Sequence, residues 1–573
     1  MKNDIQTILK NLRSEFIIVG LTGALGSGCT ETAKFLSKNI TKIDINSILD
    51  SGAKEEFDLE YRKVQNVKYF YENNDWNEFF HIRVSDLLFL FFVNDLKNVD
   101  EYKDIFKDKD TLQDIKDLSS SFIDILKNYS TYDTKDFKDI LSKTNEYINK
   151  YIDKSNPKYT PLFQEIGKNV RNEGKILKSS KSKISSLINL EDEKDLNIFI
   201  IPEIIRRVIK LVRKENKDEG KKDFFIVDAL RNIFEIEFFR NRYQSFYLFS
   251  IMASEETRKN RIENSFELTP ENLKDIIEFE TNDNGIESQA INTCIGKGDI
   301  FINNDKDDST ILEKQLVKYI ALIRKPGLFT PNDDERFMQV AFTARYNSGC
   351  ISRQVGAVVV GEDGYLRGFG WNDTPENHIP CLYRTPEQLI NASGNMVFSK
   401  YERSTKFNKF IKNYYADKEK RFLPFCFKDK QAEIELIDKA KKIKQEGIQE
   451  DIVYQILDKA KFKNPTRERA LHAEENAFLQ ISKSGGESVI NGTLYTTDSP
   501  CQLCAKKTMQ LKMKRVVYID AYPDISISHT LNAGIEENWP IFDMFSGVIG
   551  SAYFKLYVPI ICRKDEIKAM DNK

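Results

Sequence analysis

His472-Ala473-Glu474 and Pro500-Cys501-Gln502-Leu503-Cys504 are the residues of this chain whose types and spacing are best suited to chemistry. Each group opens an apolar-periodic stretch, so both are expected at helix N-termini. Cysteines three apart on one helix share a face, and the positive end of the helix dipole favours the thiolate that binds metal. One imidazole and two thiolates would give zinc three protein ligands and leave the fourth tetrahedral position open, as in a catalytic site. Glu474 stands two residues from His472, close enough to take a proton from water in that position without being a ligand. Read apart, His472 would be a core histidine and the cysteine pair a structural or redox dithiol. The helix starts, the strand between them and the proline directly before Cys501 favour reading them together.

The elements needed to position these residues are legible around them. From Asp333 the pattern runs as a helix to Ser348, a strand Val355–Val360, a turn at Glu362–Gly364 and a strand Tyr365–Gly370. A long charged insertion follows, about 393–464. After it come a helix Glu468–Ser482, a strand Thr493–Thr497, a helix Pro500–Lys512 and a strand Arg515–Asp520. Upstream, apolar strands are expected at Phe16–Val19, Asp223–Asp228, Ser245–Met252 and Asp299–Asn304, with helical stretches between them, among them Glu255–Arg261 and the charged run Lys97–Lys154. The polar segment Lys178–Asp195 reads as a mobile loop. Strands alternating with helices imply α/β architecture. Pro326, Gly327 and Pro331 mark a boundary, giving a first domain over 1–325 and a second over 326–573.

The first domain has a loop of its own. Gly23, Gly26, Ser27, Gly28, Cys29 and Thr30 follow a strand and enter a helix, the context of a phosphate-cradling Walker A loop. Cys29 occupies the position where that motif has lysine, so phosphoryl transfer would be impaired while phosphate binding, with or without Mg2+, is retained. Asp228, Arg231, Arg258 and Arg261 resemble residues of nucleoside-monophosphate kinases. The expectation is a nucleotide-binding regulatory domain.

Composition narrows the class. The 573 residues carry 86 Lys plus Arg against 88 Asp plus Glu, a balance that supplies no general footprint for a nucleic-acid duplex. Arg206, Arg207, Lys210, Arg213 and Lys214 read as the solvated face of a helix. No run reaches the roughly 20 apolar residues of a membrane span, the first twenty residues show no signal peptide, and the eight thinly spread cysteines suit a reducing compartment. The expectation is a soluble cytoplasmic protein. Cys381 and Cys426 read as two buried free thiols in preference to a second zinc site.

His-x-Glu followed by Pro-Cys-x-x-Cys is the signature of zinc nucleobase deaminases, in which hydroxide attacks the ring carbon bearing the amino group and the glutamate moves the protons. Ala344 to Val358, the run Gly370-Trp371-Asn372-Asp373-Thr374-Pro375, and a tail with Tyr522-Pro523-Asp524 and Gly534-Ile535 resemble deoxycytidylate deaminases over about 333–560. That resemblance implies a cytidine-deaminase-like α/β/α domain, with Asn372 on the nucleoside, Arg353 at the phosphate end and Tyr522 near the base. The two-domain layout resembles the bacterial anti-phage dCTP deaminases, whose P-loop kinase-like α/β domain precedes the deaminase. It implies conversion of dCTP, with dCMP, to the uracil nucleotide, depletion of dCTP during infection, assembly into a homo-oligomer, and room for an inhibitory RNA or protein regulator. A deaminase of bases in tRNA or single strands is the first alternative, and a non-enzymatic nucleotide sensor the second. Glu474 argues against the sensor, because a structural zinc has no use for it.

Overall fold

The computed structural model describes residues 15–39, 43–49, 57–96, 102, 105–106, 112–132, 137–154, 156–190, 197–265, 270–281, 288–391, 396–445, 468–521 and 526–571. The contacts divide the chain into one unit of Met1–Asn332 with Ser546–Lys573 and a second of Asp333–Phe545.

The first unit is built on five parallel strands: β1 (Phe16–Thr22), β2 (Phe80–Arg83), β3 (Asp223–Asp228), β4 (Phe246–Met252) and β5 (Ile300–Asn303). Their spatial order is β5-β4-β1-β3-β2, with the two-residue strand Gly547–Val548 antiparallel on the β5 edge. Alternation explains why β1 reads as a continuous apolar run: Ile17, Val19 and Leu21 enter one buried cluster while Ile18 enters another. The order places β3 and β4 on either side of β1. The loop leaving the C-terminal end of β1 therefore emerges where the connections turn to opposite sides, the place at which open α/β sheets form their crevice. That loop runs into α1 (Cys29–Leu36).

Several expectations change in this unit. The tail assigned by sequence to the second domain belongs to the first unit, where Val548, Ala552 and Leu556 join its core. The segment read as a mobile loop holds a short helix, Ile184–Leu187, with Ile184 and Ile188 buried, while 191–195 lies outside the described residues. The basic helix α2 (Ile200–Glu219) does not expose all its charges. Arg206 and Arg207 are buried, Arg206 Nε lies 2.6 Å from Glu203 Oε2, and both guanidinium groups lie over the Tyr129 ring. Two arginines on the apolar side are tolerated because a carboxylate and a ring face meet them. Glu280 is the penultimate residue of the helix α3 (Pro270–Thr281).

The second unit has β6 (Gly356–Val360), β7 (Leu366–Trp371), β8 (Thr493–Asp498), β9 (Arg515–Asp520) and β10 (Ile541–Met544), in the order β10-β9-β8-β6-β7. β6 pairs antiparallel with β7 and β8, and β8 and β9 run parallel, as do β9 and β10. The first helix is α4 (Asp333–Ala344); α5 (Phe427–Gln445) lies within the insertion, and α6 (Ala473–Lys483) and α7 (Gln502–Gln510) come after it. Ala473, Ala477 and Ile481 of α6 pack with Ala357, Val359, Leu494 and Val516 of the sheet. Gly370 permits this approach, since a Cβ there would sit 2.5 Å from the Ala473 carbonyl oxygen and the Ala477 nitrogen.

The insertion is more than a charged excursion. Within 396–445, Phe398, Phe407, Ile411, Phe425 and Ile434 form a core with Leu389. Arg384 and Glu402 pair there with each side chain 1% exposed, and the Arg384 guanidinium lies 4.5 Å from the Phe398 ring centre.

Candidate active site

His472 caps α6 and Cys501 caps α7, both with extended backbone angles, so each side chain leaves its chain just before the helix starts. Three local ties fix the approach to His472. Leu471 exchanges backbone hydrogen bonds with Asp373 at 2.7 and 3.2 Å. The His472 N–H donates to Glu475 Oε2 at 3.4 Å, and the Asn476 amide donates to the Trp371 carbonyl at 2.7 Å. On the other helix, Ser526 Oγ donates to the Pro500 carbonyl at 2.7 Å.

The sheet order sets these two helix starts side by side: α6 packs on β7 and β6, and α7 follows β8, the neighbour of β6. Cys501 Sγ and Cys504 Sγ lie 3.3 and 3.5 Å from His472 Nδ1. Zinc with ordinary bond lengths and tetrahedral angles requires nitrogen–sulfur edges of about 3.6 Å. The three donor atoms lie within 4.8 Å of one another, and among the described residues no other such group of His, Cys, Asp or Glu occurs. The donor set therefore fits zinc. The hydrogen bond of Cys504, together with that of His472, pulls the Cys501 thiol down to about 4, towards the thiolate a metal requires.

His472 uses its other nitrogen differently. Nε2 lies 2.9 Å from Glu468 Oε2, and the Lys428 ammonium of the insertion pairs with the second oxygen of the same carboxylate. Against the upward push of burial, hydrogen bonds from His472 and Lys428 take the Glu468 carboxyl down to about 2, so it is ionised. An ionised carboxylate on Nε2 holds the tautomer whose Nδ1 lone pair faces the sulfurs. Sequence reading placed Glu468 only as the start of a helix. Its spacing of four before a candidate metal-ligating histidine is the available signal, whereas Lys428 comes from the insertion and has none.

A cavity of about 280 Å³ opens over this group, with His472, Glu474 and Cys501 in its wall. Glu474 is buried, and that burial pushes its carboxyl up to about 7. A carboxyl poised there can take up and release a proton at neutral pH.

Asn372 and Arg353 line the same cavity, and each already has partners. Asn372 Oδ1 accepts from the Val355 N–H and Nδ2 donates to the Arg353 carbonyl, both at 2.7 Å, so the amide anchors the strand entrance. Arg353 Nη1 lies 2.9 Å from Asp498 Oδ2. Tyr522 lies outside the described residues. Lys428, Asp429, Arg469, Glu468 and Asp498 also line the cavity and were not singled out from sequence. Cys381 and Cys426, expected as buried free thiols, are free but half-buried in the cavity wall, where desolvation raises both, Cys426 to about 12.

In the first unit, Gly23, Gly26, Ser27 and Gly28 stand in the loop between β1 and α1, and Cys29 and Thr30 open α1. Gly26 and Gly28 have φ of 80° and 104°, values that favour glycine. Thr30 Oγ1 donates to Asp228 Oδ2 at 3.0 Å, and His81 Nε2 lies 3.3 Å from the same oxygen. Arg258 reaches the Leu25 carbonyl and Arg261 the Asn304 carbonyl, so both arginines are tied to backbone around the loop.

Residues 331–520 match the cytidine and deoxycytidylate deaminase zinc-binding region. The deoxycytidylate deaminase of Schizosaccharomyces pombe is 26% identical over 251 residues, 44% of this chain and 54% of that one. This chain thus spans about half the length of the yeast protein. The deoxycytidylate deaminase of Enterobacteria phage T4 is 24% identical over 187 residues, 32% of this chain and 76% of the phage protein. Among solved structures, the dCMP deaminase of cyanophage S-TIM5 in complex with dCMP and dUMP is 20% identical, with a TM-score of 0.21, over 38% of this chain and 99% of that one. Among the described residues no helix is long and apolar enough to cross a membrane. With the paired helix starts and the acid beside them, the match identifies the part of the chain centred on His472, Cys501 and Cys504 as a cytidine and deoxycytidylate deaminase domain.

Proposed function

We propose that the second unit is a zinc-dependent hydrolytic deaminase of free deoxycytidine nucleotides, converting dCTP or dCMP and water to the uracil nucleotide and ammonia. The observation that carries this is Glu474: a buried carboxyl, pushed up to about 7, in the cavity wall beside the three donors. A zinc ion on His472, Cys501 and Cys504 would supply a Lewis acid that makes water acidic near neutral pH. Glu474 accepts the proton of the attacking water and returns it to the ring nitrogen, and then passes a second to the leaving amine. Glu468 keeps His472 in its ligating tautomer, and the Asn372 amide holds the 353–355 backbone at the cavity edge.

The cavity volume suits a single nucleotide, and Arg353, Lys428 and Arg469 put guanidinium and ammonium groups in its wall for a phosphate. The S. pombe and phage relatives named deoxycytidylate deaminase support the deoxycytidine class. Action on dCTP, with nucleotide depletion as a defence against phage, follows the resemblance of the two-domain layout. On the same reading the first unit is a nucleotide-binding regulator, with the loop Gly23–Thr30 at the C-terminal edge of β1 as its phosphate site.

The test is incubation of zinc-loaded full-length protein with dCTP, dCMP, CTP, dATP and a cytosine-containing oligonucleotide, with products separated by chromatography. Uracil nucleotide from dCTP or dCMP supports the reading. Activity on the oligonucleotide alone contradicts it.

A further inference from the structure

The loop between β1 and α1 is already occupied by an anion, and the chain supplies it. The Leu25 N–H donates to both carboxylate oxygens of Glu280, each at 3.0 Å. The Arg231 guanidinium pairs with the same carboxylate. Glu280 lies 255 residues from Leu25 in sequence, and its side chain is 1% exposed. Burying a carboxylate costs several kcal/mol unless charged or N–H donors meet it. Here a loop amide and an arginine do so, and these are the groups that receive a phosphate at the start of a helix.

The rest of the loop is already shaped for that role. Asn304 Nδ2 donates to the Ser27 carbonyl at 2.7 Å, and a Cβ on Gly28 would fall 2.2 Å from that nitrogen. A Cβ on Gly26 would meet the Arg258 carbonyl oxygen at 2.9 Å. Backing on these sides leaves the Glu280 side as the one that must yield. Cys29 brings no charge to compete, because burial and the nearby Asp228 push its thiol up to about 12.

We propose that Glu280 is an autoinhibitory occupant of the phosphate position, and that a nucleoside triphosphate binds the loop by displacing this carboxylate and taking over Arg231. The inference rests on the reading of the loop as a phosphate site and adds what controls it. Release of Glu280 frees the end of α3, so occupancy of the loop becomes a change in that helix. The affinity of the unaltered protein is lowered by the small fraction of molecules in which Glu280 has left.

The test is calorimetric titration of the full-length protein with Mg-ATP, with inorganic tripolyphosphate as a second arm. ATP carries no cytosine, and since the deaminase cavity also offers cations to a phosphate chain, binding at the loop is the part that changes with Glu280 and Arg231. Glu280→Gln should bind ATP about tenfold or more tighter than the unaltered protein. The neutral pair Glu280→Gln with Arg231→Gln should lose that gain. Binding of tripolyphosphate as tight as that of ATP assigns the site to the phosphate chain alone, and overturns the nucleoside part of the proposal.

Equal ATP affinity in the unaltered protein and Glu280→Gln, weakened in the double variant, overturns the gate and leaves the phosphate site standing. Absence of binding in every protein, or binding indifferent to the double variant, overturns both. Should Glu280→Gln fail to fold, amide exchange of the unaltered protein decides the matter. Exchange across 270–281 should rise with ATP, and no change contradicts the proposal.

Discussion

Glu468 Oε2 sits 2.9 Å from His472 Nε2, while Lys428 of the insertion holds the other oxygen of that carboxylate. The insertion is thereby wired through one side chain to His472, the imidazole of the candidate metal group. Partners of this kind typically change metal affinity by about 10–100-fold when removed. Glu468→Gln should therefore weaken zinc binding by roughly that factor, measured by competition with a chromogenic chelator. Lys428→Met should weaken it less, since the Glu468–His472 contact survives. Unchanged affinity in both variants would contradict the role assigned to Glu468.

Arg353 and Asp498 form a 2.9 Å pair at the cavity, with Arg353 44% exposed. If Arg353 receives the substrate phosphate, Arg353→Ala should lower kcat/KM by about 10–100-fold, the equivalent of one charged hydrogen bond. The loss should fall mainly on KM and shrink as salt rises. A loss confined to kcat would place Arg353 elsewhere in the mechanism.

Gly370 is where β7 meets α6. Gly370→Val adds a Cβ 2.5 Å from the Ala473 carbonyl oxygen, so the helix bearing His472 must move away. Overpacking of this kind costs about 1–3 kcal/mol. Denaturant unfolding should show that loss together with reduced zinc content. A stable variant with full zinc would show that the close contact does not position the site.

The thiols should separate by reactivity. Cys29, held near 12 by burial and Asp228, lacks thiolate until the pH approaches that value. The exposed Cys562 should be alkylated first at pH 8, with Cys29 and the buried Cys294 last. Zinc removal should add Cys501 to the early set, because a bound thiolate is shielded. Early alkylation of Cys29, read by mass spectrometry of peptides, would contradict its burial in the loop.

How much of this was legible in the sequence depended on whether the signal was local. Asp223–Asp228 is a strand with the bounds its apolar run indicated, and the helix starts at His472 and Cys501 follow from short-range spacing. Phe80–Arg83 carries no such run: it is a four-residue edge strand, defined by its pairing with β3, and it brings His81 to Asp228. Gly547–Val548 has two residues and therefore no periodicity, so the return of the tail to the first unit could not be seen. Lys428 and Glu468 lie 40 residues apart, and only the folded insertion joins them. Arg206 and Arg207 looked solvated because a helical stripe of charges usually is, and Tyr129 and Glu203 reverse that locally.

In the proposed reaction Glu474 moves the protons while His472, Cys501 and Cys504 hold the metal. Its most direct test measures zinc content and ammonia release together in the full-length protein and in Glu474→Gln, with dCMP and dCTP as substrates. About one zinc per chain is expected in both proteins, with release lost by roughly two to four orders of magnitude in the variant. Ammonia release at the unaltered rate in Glu474→Gln would contradict it.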